Sequence, residues 1–110
     1  MEFLQSFSDD AIDYGGLDKY RENAWQRQLH LFEVPFYYIE YGIAQLGAIG
    51  MWMQYKKDPE TALDNYTKAL ALGGTKTLPQ LYEAAGLKFD FSPENIKTLM
   101  DFVDEEMEKI

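Results

Sequence analysis

The sequence predicts an all-α protein, an irregular bundle of about five helices. Three segments begin with Ser, Thr or Asp followed within two residues by Pro, the pattern of a capped helix start. These starts are Asp58-Pro59, Thr77-Leu78-Pro79 and Ser92-Pro93. No stretch shows sustained alternation of apolar and polar residues, and only Leu87–Phe91 could form a short extended piece. We therefore predict that the regular secondary structure of the chain is helical.

Glycine and proline residues mark the ends of the predicted helices. In chain order these helices are Phe3–Tyr14, Leu17–His30, Val34–Lys57, one that begins after the Asp58 cap, a short one over Leu81–Ala85, and one that begins after the Ser92 cap. Gly15 and Gly16 end the first helix, and Pro35 suits the first turn of the third. We therefore predict a single helical domain over residues 1–110, with residues 1–16 as an acidic lead-in helix.

The composition is that of a folded, acidic protein, and it excludes several kinds of site. Of the 110 residues, 46% are hydrophobic and 15% aromatic, which is enough for a packed core. A net charge of −9 argues against binding to nucleic acid or anionic lipid. Cysteine is absent and His30 is the single histidine, so disulfides, thiolate zinc sites and histidine-rich metal centres are excluded. No signal peptide or membrane span is evident, and we expect a cytoplasmic protein.

The residues with the most chemical character lie between positions 30 and 41. Tyr37, Tyr38 and Tyr41 are spaced so that all three could project from one side of a single helix. His30 precedes the turn expected at Pro35 and could fold back toward the same side. A histidine beside convergent phenols is a set of neutral hydrogen-bond donors, which suits an oxyanion. The tyrosines could instead pack with their rings inside and their hydroxyls at the rim.

Three glycines follow the tyrosines in the third predicted helix: Gly42, Gly47 and Gly50. Each weakens an isolated helix by up to about 1 kcal/mol relative to alanine. Their expected use is to let another helix approach closely. We therefore predict that the third helix is central and buried.

A series of motifs resembles the C-terminal region of the oligoendopeptidase F family, which are zinc metallopeptidases related to thimet oligopeptidase. The matching blocks are His30, Phe32-Glu33, Pro35-Phe36-Tyr37-Tyr38-Ile39-Glu40-Tyr41, Ala44-Gln45-Leu46-Gly47, Leu72-Gly73-Gly74, Leu81-Tyr82-Glu83-Ala84-Ala85-Gly86 and Phe89-Asp90-Phe91-Ser92-Pro93. Together they cover roughly residues 17–105. The resemblance implies the fold of part of a peptidase catalytic domain.

The resemblance also implies roles for the histidine and the tyrosines. In that family a helical His-Glu-x-x-His motif and a downstream glutamate hold zinc, and a later histidine and tyrosines bind the substrate carbonyl and stabilise the tetrahedral intermediate. The zinc motif is absent here. The resemblance implies that His30 and Tyr41 stabilise the transition state and that Tyr38 or Tyr37 assists. Zinc is thus expected in the full-length family, no metal is expected on this chain alone, and the parent enzyme would cleave oligopeptides.

These implications predict a fragment or relic of a zinc-dependent oligoendopeptidase that is inactive alone. Such a chain should expose the face that met the missing N-terminal catalytic part, a face that would carry Phe36, Tyr37, Tyr41 and Trp52. Either that part or a second copy should cover this face. We expect a symmetric dimer that covers the helix Val34–Met53.

The alternative prediction is a non-enzymatic helical interaction module. Asp58–Leu72 looks like the second half of a tetratricopeptide helix pair, with Ala, Tyr and Leu at the expected spacing. A second copy does not occur about 34 residues away. The peptidase interpretation requires a His-Glu-x-x-His helix encoded just upstream in frame, whereas the interaction-module interpretation does not.

Overall fold

The structure is a computed structural model that describes residues 11–110. The chain forms two units, Met1–Ile39, described from residue 11, and Glu40–Ile110. The α-helices are α1 Asp18–Glu22, α2 His30–Glu33, α3 Ile39–Lys57, α4 Pro59–Leu72, α5 Leu78–Ala84 and α6 Pro93–Met107, with 3-10 turns at Ala24–Arg27 and Gly73–Thr75. No strand occurs over residues 11–110, and the predicted all-α class is confirmed. Within the same range, no helix combines the length and apolar character needed to cross a bilayer.

The first predicted helix is wrong where the structure describes it. Most of Phe3–Tyr14 lies outside the described residues, but positions 11–14 form a turn and irregular backbone. The Gly15 N–H donates to Asp13 Oδ1 at 2.8 Å. A short acidic side chain that accepts from a backbone N–H two residues later favours a turn over a helix.

The second predicted helix, Leu17–His30, is also wrong as one continuous element. It consists of α1, the 3-10 turn Ala24–Arg27 and the start of α2. Asn23 ends α1, and its side-chain amide donates to the Lys19 carbonyl oxygen at 2.8 Å. Asparagine favours helix ends for this reason, because its side chain offers the backbone an alternative hydrogen bond.

The helix starts of the second unit are confirmed by their capping contacts. Asp58 precedes α4 and accepts from the Thr61 N–H at 3.2 Å. Ser92 precedes α6, and its Oγ accepts from the Asn95 N–H at 3.3 Å. The predicted cap Thr77 lies directly before α5, but this helix begins at Leu78 and ends at Ala84, so the predicted range Leu81–Ala85 is wrong at its start. Local sequence signals therefore determine where the helices of this unit begin.

Helix α3 packs closely through two of its three glycines. The Tyr82 hydroxyl on α5 donates to the Ile43 carbonyl oxygen at 2.7 Å. A Cβ built at Gly47 would lie 2.6 Å from that hydroxyl, so Tyr82 would have to shift if position 47 carried a larger residue. A Cβ at Gly50 would lie 3.0 Å from Leu87 Cδ2. The predicted close approach of a helix is confirmed at Gly47, whereas the neighbour of Gly50 is Leu87, which follows α5. The prediction that the helix is buried is wrong, because Gly50 is the one residue of α3 that is buried.

Contacts at the C-terminal half of α3 join it to α6. The rings of Trp52 and Phe102 meet edge to face with their centroids 4.8 Å apart. Lys56 pairs with Glu106 at 2.5 Å, and Lys109 binds the other oxygen of the same carboxylate at 2.5 Å. Glu106 is buried, and both cations hold its charge there.

Candidate functional site

A strained turn precedes α3 and replaces the start predicted at Val34. The Tyr37 N–H donates to the Val34 carbonyl oxygen at 3.1 Å, which closes a four-residue turn. Pro35 occupies the second position and Phe36 the third, where φ is +65°. These are the features of a type II turn, whose third position normally carries glycine. Helix α3 consequently begins at Ile39.

This turn brings two tyrosines back over the histidine. His30 is the first residue of α2. The rings of His30 and Tyr37 are stacked, with an interplanar angle of 7° and centroids 6.2 Å apart. The Tyr38 ring is tilted by 45° to the imidazole, with centroids 5.6 Å apart. We call these three residues the His–Tyr cluster. All three are predicted site residues, and the structure places them together.

The fourth predicted site residue, Tyr41, lies on the first turn of α3, in the second unit. The prediction that Tyr37, Tyr38 and Tyr41 share one helix is wrong, because the two earlier tyrosines belong to the preceding turn. About half of the Tyr41 side chain is exposed. Its part in binding a substrate carbonyl stays a prediction.

The sequence signal for this turn was available but ambiguous. The residue before a proline is disfavoured in the α region, so Val34 was a poor candidate for a helical residue. Proline is common both in the first turn of a helix and at the second position of a type II turn. The sequence did not favour a type II turn over a helix start, because the third turn position is Phe36 and phenylalanine rarely adopts a positive φ.

Aromatic and cationic side chains also contact one another in the segment before the cluster. The Trp25 and Phe32 rings lie 5.8 Å apart. The Arg21 guanidinium lies over the Tyr14 ring, 4.8 Å from its centroid, within the range of a cation–π interaction. These contacts join side chains of the short elements before and within α2, whose other large apolar side chains are mostly exposed.

The cluster has the chemistry of a hydrogen-bonding site for a polarised oxygen. A neutral imidazole and a phenol each offer one donor, and neither carries a charge that must be neutralised on binding. His30 is half-buried, whereas Tyr37 and Tyr38 are exposed by 44% and 43%. The arrangement combines an oriented imidazole with phenols that reach solvent. It could therefore receive a peptide carbonyl.

The donor set of residues 11–110 does not fit a zinc ion. A catalytic zinc takes three protein ligands, commonly His, Glu, Asp or Cys. The sequence holds one histidine and no cysteine. Over residues 11–110, no group of three or more His, Cys, Asp or Glu side chains lies close enough to hold a metal. No chemical step that uses a metal can be assigned to the described residues.

Comparison with known proteins gives one match. The model of peptidase family M3 matches residues 3–101. No curated protein and no solved structure matches the chain. The matched range includes His30, the turn before α3, and helices α3 to α5.

Proposed function

The chain belongs to peptidase family M3, a family of zinc metallopeptidases, and from this premise we propose that it supplies the substrate-carbonyl element of such an enzyme. Its nearest functional class would be the oligoendopeptidases F, which cleave short peptides in the cytoplasm. The family match covers most of the chain. The observation that carries the proposal is the packing of His30 against Tyr37 and Tyr38.

In this proposal the resemblance to the oligoendopeptidase F family gives His30 the role of a hydrogen-bond donor to the carbonyl oxygen of the scissile peptide bond, and it gives Tyr41 the same role. That oxygen gains negative charge only as the tetrahedral intermediate forms, so donors aimed at it stabilise the transition state more than the bound substrate. Tyr38 or Tyr37 assists by holding the imidazole in place through ring contact. An imidazole in contact with two neighbouring rings loses little further freedom when it binds the oxygen.

The proposal assigns no nucleophile to this chain. Peptide hydrolysis needs an activated water, and oxyanion donors alone leave most of the barrier in place. The residues that activate water would come from the remainder of a complete M3 peptidase. The His–Tyr cluster would then meet the substrate opposite that remainder.

An assay of the purified chain directly tests whether the residues that activate water lie outside it. We expect no zinc-stimulated hydrolysis of a quenched fluorescent oligopeptide. The matched control is the His30→Ala variant, which should give the same background signal. Zinc-dependent turnover that survives repeated purification and disappears in His30→Ala would contradict the proposal, because a complete active site would then lie within this sequence.

A second candidate function is a helical interaction module without catalysis. It is favoured by the exposed apolar side chains of α4, which include Leu63, Tyr66 and Leu70. On this reading the tetratricopeptide-like segment Asp58–Leu72 binds a partner helix. The loss of transition-state stabilisation on changing His30 or Tyr41 separates the two functions, since a binding module has none to lose.

A further inference from the structure

A cavity of about 510 Å³ lies in the first unit and is lined by residues between Tyr14 and Arg27. The chain has two arginines, Arg21 and Arg27, and both line this cavity together with Lys19. Among the residues that the structure describes, no carboxylate lines it. Its volume lies within the range of small-molecule sites, about 300–1,000 Å³. We call it the cationic cavity, and it occurs in a chain whose net charge is −9.

The short elements of the first unit bring the three cations to one place. Lys19 and Arg21 lie on α1, and Arg27 is the last residue of the 3-10 turn that follows. In one continuous helix, Arg21 and Arg27 would lie about 120° apart around the axis, because they are six residues apart. Such positions do not share a helix face. The end of α1 at Asn23, which also lines the cavity, therefore allows both arginines to line it.

Arg21 is held against a ring, and the chain does not use its donors. Its guanidinium lies over the Tyr14 ring, 4.8 Å from the centroid. Its Nε is buried and has no hydrogen-bond partner over residues 11–110, and no carboxylate in that range pairs with the guanidinium. An arginine that is already packed loses less side-chain freedom when it binds an anion through its terminal nitrogens.

Cations of the second unit show what an arginine or lysine of this chain does when an acid is near. Lys56 and Lys109 both bind Glu106, whereas Lys68 and Lys97 each pair with an aspartate on their own helix. The three cations of the cationic cavity form no such pair with a described residue. Like charges along one cavity repel each other, and a bound anion removes that repulsion. More distant acids matter less, because salt screens exposed charges beyond about 8 Å at physiological ionic strength.

We propose that the cationic cavity binds a phosphate group between Arg21, Arg27 and Lys19. The planar guanidinium matches two phosphate oxygens at once, and a lysine ammonium adds a further charged donor. A carboxylate has one charge and two oxygens, so it would leave part of this cationic lining unpaired. The site goes beyond the proposed function, since none of its residues belongs to the His–Tyr cluster.

The phosphate has two possible sources, the free ion and the ester of a small molecule. Tyr20 lines the same cavity and is 75% exposed, so its ring is available to the organic part of an ester. Inorganic phosphate and phenyl phosphate are the two probes that distinguish these sources. Tighter binding of phenyl phosphate would support an ester as the ligand, and equal binding would support the free ion.

The test is a calorimetric titration of the full chain with these two probes and with acetate, all at the same ionic strength. We expect phosphate to bind at least about 10-fold more tightly than acetate, because it makes more charge-assisted hydrogen bonds. Equal binding of acetate and phosphate would overturn the proposal. The absence of any binding at millimolar phosphate would overturn it as well.

Variants locate the bound ion. Arg27→Gln and, separately, Arg21→Gln should raise the dissociation constant for phosphate about 10-fold or more. Arg27→Lys keeps the charge and should recover part of the affinity. The matched control is Lys76→Gln, which removes the same charge from an exposed position of the second unit and should leave the dissociation constant unchanged.

The fold of the first unit is checked in each variant through His30, the single histidine of the chain. Unchanged ring proton resonances of His30 show that a loss of affinity does not come from unfolding. Equal losses in Arg27→Gln and Lys76→Gln would contradict the proposal, because the net charge and not the cavity would then attract the ion. None of these measurements involves peptide hydrolysis, so the phosphate site and the proposed function stand or fail separately.

Discussion

Phe36 shows how a single residue determines the geometry of the His–Tyr cluster. It is the one non-glycine residue with positive φ over residues 11–110. Such a conformation costs an ordinary residue about 1–2 kcal/mol. The Phe36 ring is 97% exposed, so packing of its own side chain does not offset this cost. The strain is retained because the turn it closes places Tyr37 and Tyr38 against His30.

Substitutions of Phe36 should separate backbone strain from side-chain packing. Phe36→Gly should keep the turn and leave the melting temperature the same or higher, since glycine adopts positive φ freely. Phe36→Ile should lower the free energy of unfolding by about 1 kcal/mol or more, because a β-branched residue fits this conformation poorly. His30 is the only histidine, so its ring proton resonances report directly on the cluster. If both variants leave melting and resonances alike, the turn is not strained.

The sequence identified the residues of the His–Tyr cluster but not the turn that brings them together. The sequence indicated that His30 could fold back toward Tyr37, Tyr38 and Tyr41, and the structure brings it against Tyr37 and Tyr38. The placement of all three tyrosines on one helix, on which that expectation rested, is wrong. The spacing of three tyrosines is compatible with a helix and with a turn, and Pro35 is compatible with both. The φ of Phe36 decides between a helix and a turn. This angle is set by the contacts of the surrounding chain and is not the one that phenylalanine prefers.

Helix α3 is the element whose glycines can be tested one against another. Gly47→Ala would place a Cβ 2.6 Å from the Tyr82 hydroxyl and should lower the free energy of unfolding by about 1–3 kcal/mol. Gly42→Ala is the matched control in the same helix, because no described atom lies within 4 Å of a Cβ built there. It should raise stability by up to about 1 kcal/mol through helix propensity. Urea unfolding of the two variants measures both effects. Equal effects would mean that α5 does not pack on Gly47.

The contact between α3 and α6 should make stability depend on pH. Hydrogen bonds from Lys109 and then Lys56 lower the pKa of the buried Glu106 below its ordinary value of 4.5. A carboxylate whose pKa is lower when folded stabilises the fold fully above 4.5, and this contribution is lost as the pH falls through the folded value. The stability difference between the wild type and Glu106→Gln should therefore be largest at neutral pH and shrink below pH 4.5.

The control for that pH series is Asp101→Asn. Asp101 pairs with Lys97 on the exposed face of the same helix, at a distance of 2.6 Å. Exposed pairs of this kind contribute little, so the variant should follow the wild type closely across the range. A stability gap for Glu106→Gln that does not change with pH would contradict the assignment of the charge to Glu106.

Helices of the second unit were predicted more accurately than those of the first for a physical reason. Asp58 and Ser92 cap helices through contacts with residues three positions later. The start of each helix can therefore be predicted from a short stretch of sequence. Whether one helix continues from Leu17 to His30 depends instead on Asn23. Its side-chain amide competes with the backbone N–H groups for the carbonyl oxygens of the helix. Apolar spacing alone does not determine that competition.

At the scale of the whole molecule, composition overestimated the core. The sequence is 46% hydrophobic and predicted a packed interior. Over residues 11–110, the buried hydrophobic residues are Ala62, Ala85 and Leu99. Composition records how much apolar surface a chain has but not which other chain covers it. The exposed apolar surface is what a member of a larger assembly would show.

The hydroxyl of Tyr41 should bind the substrate oxygen in a complete M3 peptidase that contains this sequence. Tyr41→Phe removes one hydroxyl and almost no volume. It should lower kcat about 100-fold and leave KM and the melting temperature nearly unchanged, since the lost hydrogen bond forms only in the transition state. A full kcat together with a lowered melting temperature would show that Tyr41 packs in the core and takes no part in catalysis.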